Sequence, residues 1–210
     1  MGKLQHEDTS WVQEYLPDWQ NAIYTVDNTS ATLSTPRNKG RKANPYLLYI
    51  SQHYHDPPSV IAFLHSHRAG FPGGWHTDAP GVDNVIAIKT LNLDFVQRNG
   101  YVNMRCQWEP GCPDWVQRLR SADSDDPENL ERHMPEGWRE LFGESSEVPD
   151  VIATPCCAQF AVSREQVLER PLEEYEWYHK WLMDTDMSDG LSGRIFEYLW
   201  HIIFGKDPVY

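Results

Sequence analysis

The stretch Ser59–Leu64 reads SVIAFL, and His65-Ser66-His67-Arg68 follows it directly. No polar residue interrupts the run from Val60 to Leu64. A run this short and this apolar has the character of a strand buried on both faces. The same logic places it at the centre of a sheet. Upstream, Pro45–His55 carries Tyr46, Leu47, Tyr49, Ile50 and Tyr54 at helical spacing, with Pro45 suited to a first turn. Ala22–Val26 is β-prone and ends in an Asp27-Asn28 turn. Ser10 and Gln13 have capping-box spacing ahead of a short helix near residues 10–16, and residues 2–5 read as the tail of a first strand.

Downstream, a loop rich in glycine and proline runs to Gly74 and is followed by Trp75-His76-Thr77-Asp78. Asp83–Asn99 reads as helix broken near Asn92, and Tyr101–Met104 as a strand. Val151–Ala153 and Gln159–Val162 are strand-like around Pro155-Cys156-Cys157. Ser163 with Gln166 forms a second capping box. Helices are expected at Pro135–Phe142, Leu172–Met183 and Leu191–Phe204, the last closed by Gly205. Apolar strands alternating with helices predict a single α/β domain with a mainly parallel central sheet flanked by helices.

The 210 residues include 40% apolar and 12% aromatic types, which excludes a disordered chain. No run of 18 apolar residues occurs, so no membrane span is expected. The net charge of −13 is uneven. Residues 121–150 hold ten acids against two bases, and an exposed acidic insertion is expected at about 118–135. This charge argues against broad nucleic-acid binding but leaves room for a local contact. Four cysteines are too few for a disulfide scaffold and lack C-x2-C spacing. The start Met1-Gly2-Lys3 has no signal-peptide pattern, so a cytoplasmic location is expected.

Chemistry is expected first beyond the SVIAFL strand, because ligands gather at the carboxyl ends of strands in open α/β sheets. His65 and His67 are two apart, so an extended backbone points them the same way, and His76 and Asp78 repeat the spacing. Such a group can bind a metal, shuttle protons or simply be solvated. The basic stretch Arg37–Lys42 includes Lys39 and Arg41 and precedes a helix, where it can hold a phosphate or carboxylate or remain a solvated loop. Cys156-Cys157 reads either as a nucleophile, with His76 or His201 as base, or as an inert core pair. Glu197 is one helical turn before His201 and three residues after Arg194.

The strings NKGR (38–41), FLHSHR (63–68), WHTDAPGVDN (75–84), LDFVQRNGYVNMRC (93–106), CCAQFAVSREQVLERP (156–171) and FEYLWHIIFG (196–205) resemble a largely fungal family catalogued as a domain of unknown function. The resemblance runs from Glu7 to Phe204. It implies an architecture like that of glycosyltransferases of the GT-A type, with His65-Ser66-His67 at the place where those enzymes carry Asp-x-Asp. It also implies an arginine-containing cyclodipeptide synthase, which joins aminoacyl groups from charged tRNA. The Asp-Asp-x-x-Glu spacing of those synthases is absent, Asp125-Asp126-Pro127-Glu128 being one residue short.

The expected catalytic residues are His65, His67, His76 and Glu197. The expected substrate contacts are Lys39, Arg41, Asp78, Asp83 and Gln159, with Asp78, Asp83 and Glu197 matched to a guanidinium. Neither a metal nor another cofactor is expected. The expected partners are aminoacyl-tRNA and a small amino-acid substrate, and no membrane. A transferase using a nucleotide sugar and a non-catalytic relative are the alternatives.

Overall fold

A computed structural model describes residues 1–71, 73, 74, 76–109, 111, 112, 116, 117, 126 and 129–210. Among the described residues, the main sheet has three strands: β3 (Val60–Phe63), β7 (Phe160–Ser163) and β4 (Tyr101–Asn103), in the order β3-β7-β4. Both neighbours run antiparallel to β7, with Phe63 opposite Phe160 and Val102 opposite Ala161. Two smaller pairs flank this unit. In one, β1 (Gly2–Lys3) lies parallel to β2 (Tyr24–Thr25); in the other, β5 (Val116–Gln117) lies antiparallel to β6 (Val151–Ile152).

The chain is a mixed α/β protein, but its described strands do not form one parallel sheet. The six apolar segments are all strands, shared among three small sheets. SVIAFL lies at an edge of the three-stranded sheet, and the centre belongs to β7. The run is apolar for a different reason: both its faces are covered. Ile61 and Phe63 face the main core, while Ala62 and Leu64 join Trp11, Val12, Leu16, Val85 and Ile88 on the other side. Period-two alternation between two dry faces leaves no position for a polar residue.

The main core packs α2 (Ala43–His53), α7 (Leu172–Asp184) and α8 (Asp189–Ile203) over one face of the sheet. Phe160 lies at its centre, its ring 4.9–5.9 Å from those of Tyr46, Phe63, Tyr101, Trp200 and Phe204. The opposite face receives α1 (Ser10–Tyr15), α3 (Asn84–Lys89) and α4 (Leu93–Asn99). Asn92 separates α3 from α4 and caps α4 through Phe95 N–H at 2.9 Å. Ser163 caps α6 (Arg164–Leu168) through Gln166 N–H at 3.2 Å. Ser10 is a first-turn residue instead of a cap; the cap position is Thr9, which makes no side-chain capping bond.

The acidic segment divides. Residues 118–125, 127 and 128 lie outside the described residues. From Leu130 the chain is α5 (Leu130–Phe142), capped by Asn129 through Arg132 N–H, with Leu130 and Met134 buried in the main core. The expected insertion therefore does not reach 135: two apolar anchors one turn apart dock this stretch as helix. Among the described residues, no helix is long and apolar enough to cross a membrane.

Candidate functional site

The carboxyl end of β3, the entry to β7, the start of α2 and the middle of α8 converge on a cleft of about 330 Å³. That size suits a small ligand. Arg41 and Lys42 come from the start of α2, His65 from the end of β3, and His76 from the following loop. Cys156, Cys157 and Ala158 come from the approach to β7, and Arg194, Glu197 and Tyr198 from α8.

Small residues make the convergence possible. Gly40 adopts φ +68°, and a Cβ there would meet Leu182 Cδ1 at 2.3 Å. A Cβ on Gly193 would lie 3.1 Å from Gly40 O and 3.2 Å from Arg41 Cβ. Glycine at both positions lets the basic loop lie against α7 and against α8, there one turn before Glu197.

Gln159 holds the two histidines. Its Oε1 accepts from the His65 N–H at 2.8 Å, while its Nε2 donates to His76 O at 3.1 Å and Asn84 Oδ1 at 2.9 Å. The His65 and His76 rings stand 3.9 Å apart. His65 Nε2 bonds Cys157 O at 2.6 Å, and Glu197 accepts from Cys157 N–H at 2.6 Å. Cys156 and Cys157 are joined by a disulfide. Arg105, just past β4, places Nη1 at 3.2 Å from Cys156 Sγ and 3.4 Å from Cys157 Sγ.

Burial, and then the positive charge of Lys42, holds His65 well below the usual histidine range. The same two causes lower His76 to about 4, with His67 and Arg105 adding to them. Both imidazoles are therefore neutral near pH 7. Burial lowers Lys42 from its ordinary value, and Arg41 adds to this while Glu7 opposes it. Burial raises the Glu197 carboxyl, opposed by the Cys157 N–H and by Arg194, Lys42 and Arg41. The cleft thus combines neutral proton acceptors, a partly desolvated acid and a cationic mouth.

Of the residues singled out from sequence, His65, His76, Glu197 and Arg41 line this cleft. His67 points elsewhere: it is exposed and faces Glu7 at 3.6 Å. Asp78 pairs with Arg105 at 3.6 Å and accepts from the backbone N–H groups of Cys106 and Gln107, so its charge is already engaged. Asp83 caps α3 through Val85 N–H at 2.7 Å and meets Arg68 at 3.5 Å. Lys39 donates to Thr185 O and Met187 O at 2.8 and 2.7 Å, tying the basic loop to the α7–α8 turn. Gln159 is buried behind the histidines and positions them. His201 turns away to Pro208 O at 3.1 Å and shares no site with Glu197. Arg105 was not singled out, although the strand-end argument that selected His65 applies equally to a residue just past Tyr101–Met104.

Fold and cleft together define a mixed α/β protein with a site built from two histidines, a disulfide and basic residues of α8 and the start of α2. The chain belongs to the family described as Protein of unknown function (DUF3431), whose profile matches residues 1–210. No curated protein and no solved structure matches it.

Proposed function

We propose that the cleft is the active centre of a transferase that joins aminoacyl groups delivered as tRNA esters, as in arginine-containing cyclodipeptide synthases. The observation that supports this is the pairing of two neutral imidazoles with Glu197 behind a cationic mouth. An aminoacyl ester is already activated, so positioning and proton transfer supply most of the catalysis. The α-amine of one residue attacks the ester carbonyl of the other, giving its proton to His76. An amide forms and a ribose hydroxyl leaves. A second attack within the dipeptidyl ester closes the diketopiperazine and releases the second hydroxyl. Lys42, which lines the cleft, supplies the cation that stabilises the oxyanion, and Arg41 and Arg194 attract the phosphates of the carrier. Glu197 is the carboxyl available in the cleft to a substrate cation.

The test incubates the purified chain with arginyl-tRNA and a mixture of other charged tRNAs, and reads products by mass spectrometry. An arginine-containing diketopiperazine, lost in His76→Ala, is expected. No product from any charged tRNA would remove this reading.

One observation favours a second reading. Three cations (Arg41, Lys42 and Arg194) face one carboxyl, a balance that suits a diphosphate better than a guanidinium. A nucleotide-sugar donor would use it. That reading brings the GT-A-like architecture with it, supported by a helix-covered sheet with a site at a strand's carboxyl end. Thermal stabilisation by a nucleoside diphosphate, without diketopiperazine formation, would select it.

A further inference from the structure

We propose that Cys156 and Cys157 are a redox-active pair that undergoes thiol–disulfide exchange with small thiols carrying carboxylates. This goes beyond acyl transfer and does not rest on it. Three observations carry it. Although buried, both cysteines line the cleft, so a small molecule entering it meets them. The Arg105 guanidinium is also buried and lies against both sulfurs, oriented by Asp78 and by Glu109 O at 2.9 Å. A cation gains little from a neutral disulfide and much from a thiolate, so this placement favours the reduced, ionised state. Finally, Cys157 and Ala158 hold φ values of +91° and +50°, a conformation that non-glycine residues rarely adopt. Glu197 and His65 fix it by gripping the N–H and C=O of Cys157.

Glu197 brings a carboxyl oxygen within 4.8 Å of both sulfurs. Arg41, Lys42, His65, His76, Arg194 and Tyr198 complete the charged and titratable groups along the cleft. The cations outnumber the acid, so an anionic thiol is drawn in and a cationic thiol repelled. In the exchange, the incoming thiol loses its proton to solvent and its thiolate attacks one cysteine sulfur. The S–S bond breaks, and the other sulfur leaves as a thiolate facing Arg105. A second thiol attacks the mixed disulfide, releasing the small-molecule disulfide and leaving the protein dithiol. Overall, one protein disulfide is reduced and two thiols are oxidised.

The experiment alkylates the intact chain and reads the peptide containing residues 156 and 157 by mass spectrometry. No label is expected before reduction, two labels after glutathione, and loss of labelling after glutathione disulfide. Labelling without reduction, or resistance to glutathione, overturns the proposal. At low salt, glutathione and mercaptosuccinate should reduce the pair at least tenfold faster per thiolate than cysteamine, with the gap closing near ~0.5 M salt. Equal rates at low salt overturn the preference for anionic thiols. The alkylation rate of the reduced protein should reach half-maximum well below the ordinary thiol value of about 8.5. Arg105→Gln should move that midpoint up by a unit or more, and Arg105→Lys should keep it low. If Arg105→Gln does not fold, the wild-type profile decides: a midpoint at or above the ordinary value overturns the role of Arg105.

Discussion

Acidification should weaken the fold through His201. Its ring is fully buried near the end of α8, with Nε2 against Pro208 O and the ring stacked 6.3 Å from that of Tyr210. Burial lowers it from 6.5 to about 4. The unfolded chain therefore binds a proton in a pH range where the native state does not. Stability is intact above about pH 6.5, falls as the pH drops toward 4, and levels off below that. A drop from 6.5 to about 4, at about 1.4 kcal/mol for each tenfold change in proton affinity, amounts to about 3 kcal/mol. The helix dipole favours a cation at this end of α8, but typically by no more than about 1 kcal/mol, which is too little to reverse the sign. Carboxylates titrate in the same range, so the comparison needs a variant. His201→Gln keeps a donor for Pro208 O and removes the titration. Urea unfolding followed by tryptophan fluorescence at pH 7 and pH 4.5 gives the two stabilities. The advantage of wild type over the variant should shrink by about 2–3 kcal/mol between those pH values. Parallel stability curves would show that the native state accepts the proton, and would refute the argument.

Gly40→Ala should cost roughly 2–4 kcal/mol, because its Cβ meets Leu182 at 2.3 Å on a backbone with φ +68°; an unchanged melting temperature would mean the basic loop does not lie against α7. Met134→Ala should cost about 2–4 kcal/mol by opening a cavity beneath α5, and a silent result in urea unfolding would place that helix off the core. Gln159→Leu should cost about 1–3 kcal/mol by leaving the His65 N–H and Asn84 without their partner; imidazole NMR signals of His65 and His76 should shift together, and unmoved signals would contradict its positioning role. Glu197→Gln keeps an acceptor for the Cys157 N–H, so the melting temperature should stay within a few degrees while diketopiperazine formation falls at least tenfold. Full activity in that variant would take Glu197 out of the chemistry.

Local pattern set most of the elements. Ser163 is a cap, as its spacing from Gln166 implies, the helix break expected near Asn92 separates α3 from α4, and the apolar stripe of Leu172–Met183 is the buried face of α7. SVIAFL is a strand with two dry faces. Its place in the sheet was not legible, because SVIAFL and Gln159–Val162 are apolar runs of similar length. Nothing within either run says which has two neighbours. The two-residue rule also misled at His65 and His67. The ladder that enforces alternation ends at Phe63, so the chain beyond it is free to bury one histidine and expose the other.

What the sequence determines by itself is whatever depends on near neighbours along the chain: helix periods, caps and apolar runs. The cleft depends on pairs far apart in sequence. His65 meets Cys157 across 92 residues, Arg105 meets Cys156 across 51, and Cys157 meets Glu197 across 40. Only the tertiary structure decides such pairs, because they come together when apolar faces elsewhere, around Phe160, Trp200 and Leu182, fix the distances between helices and sheet.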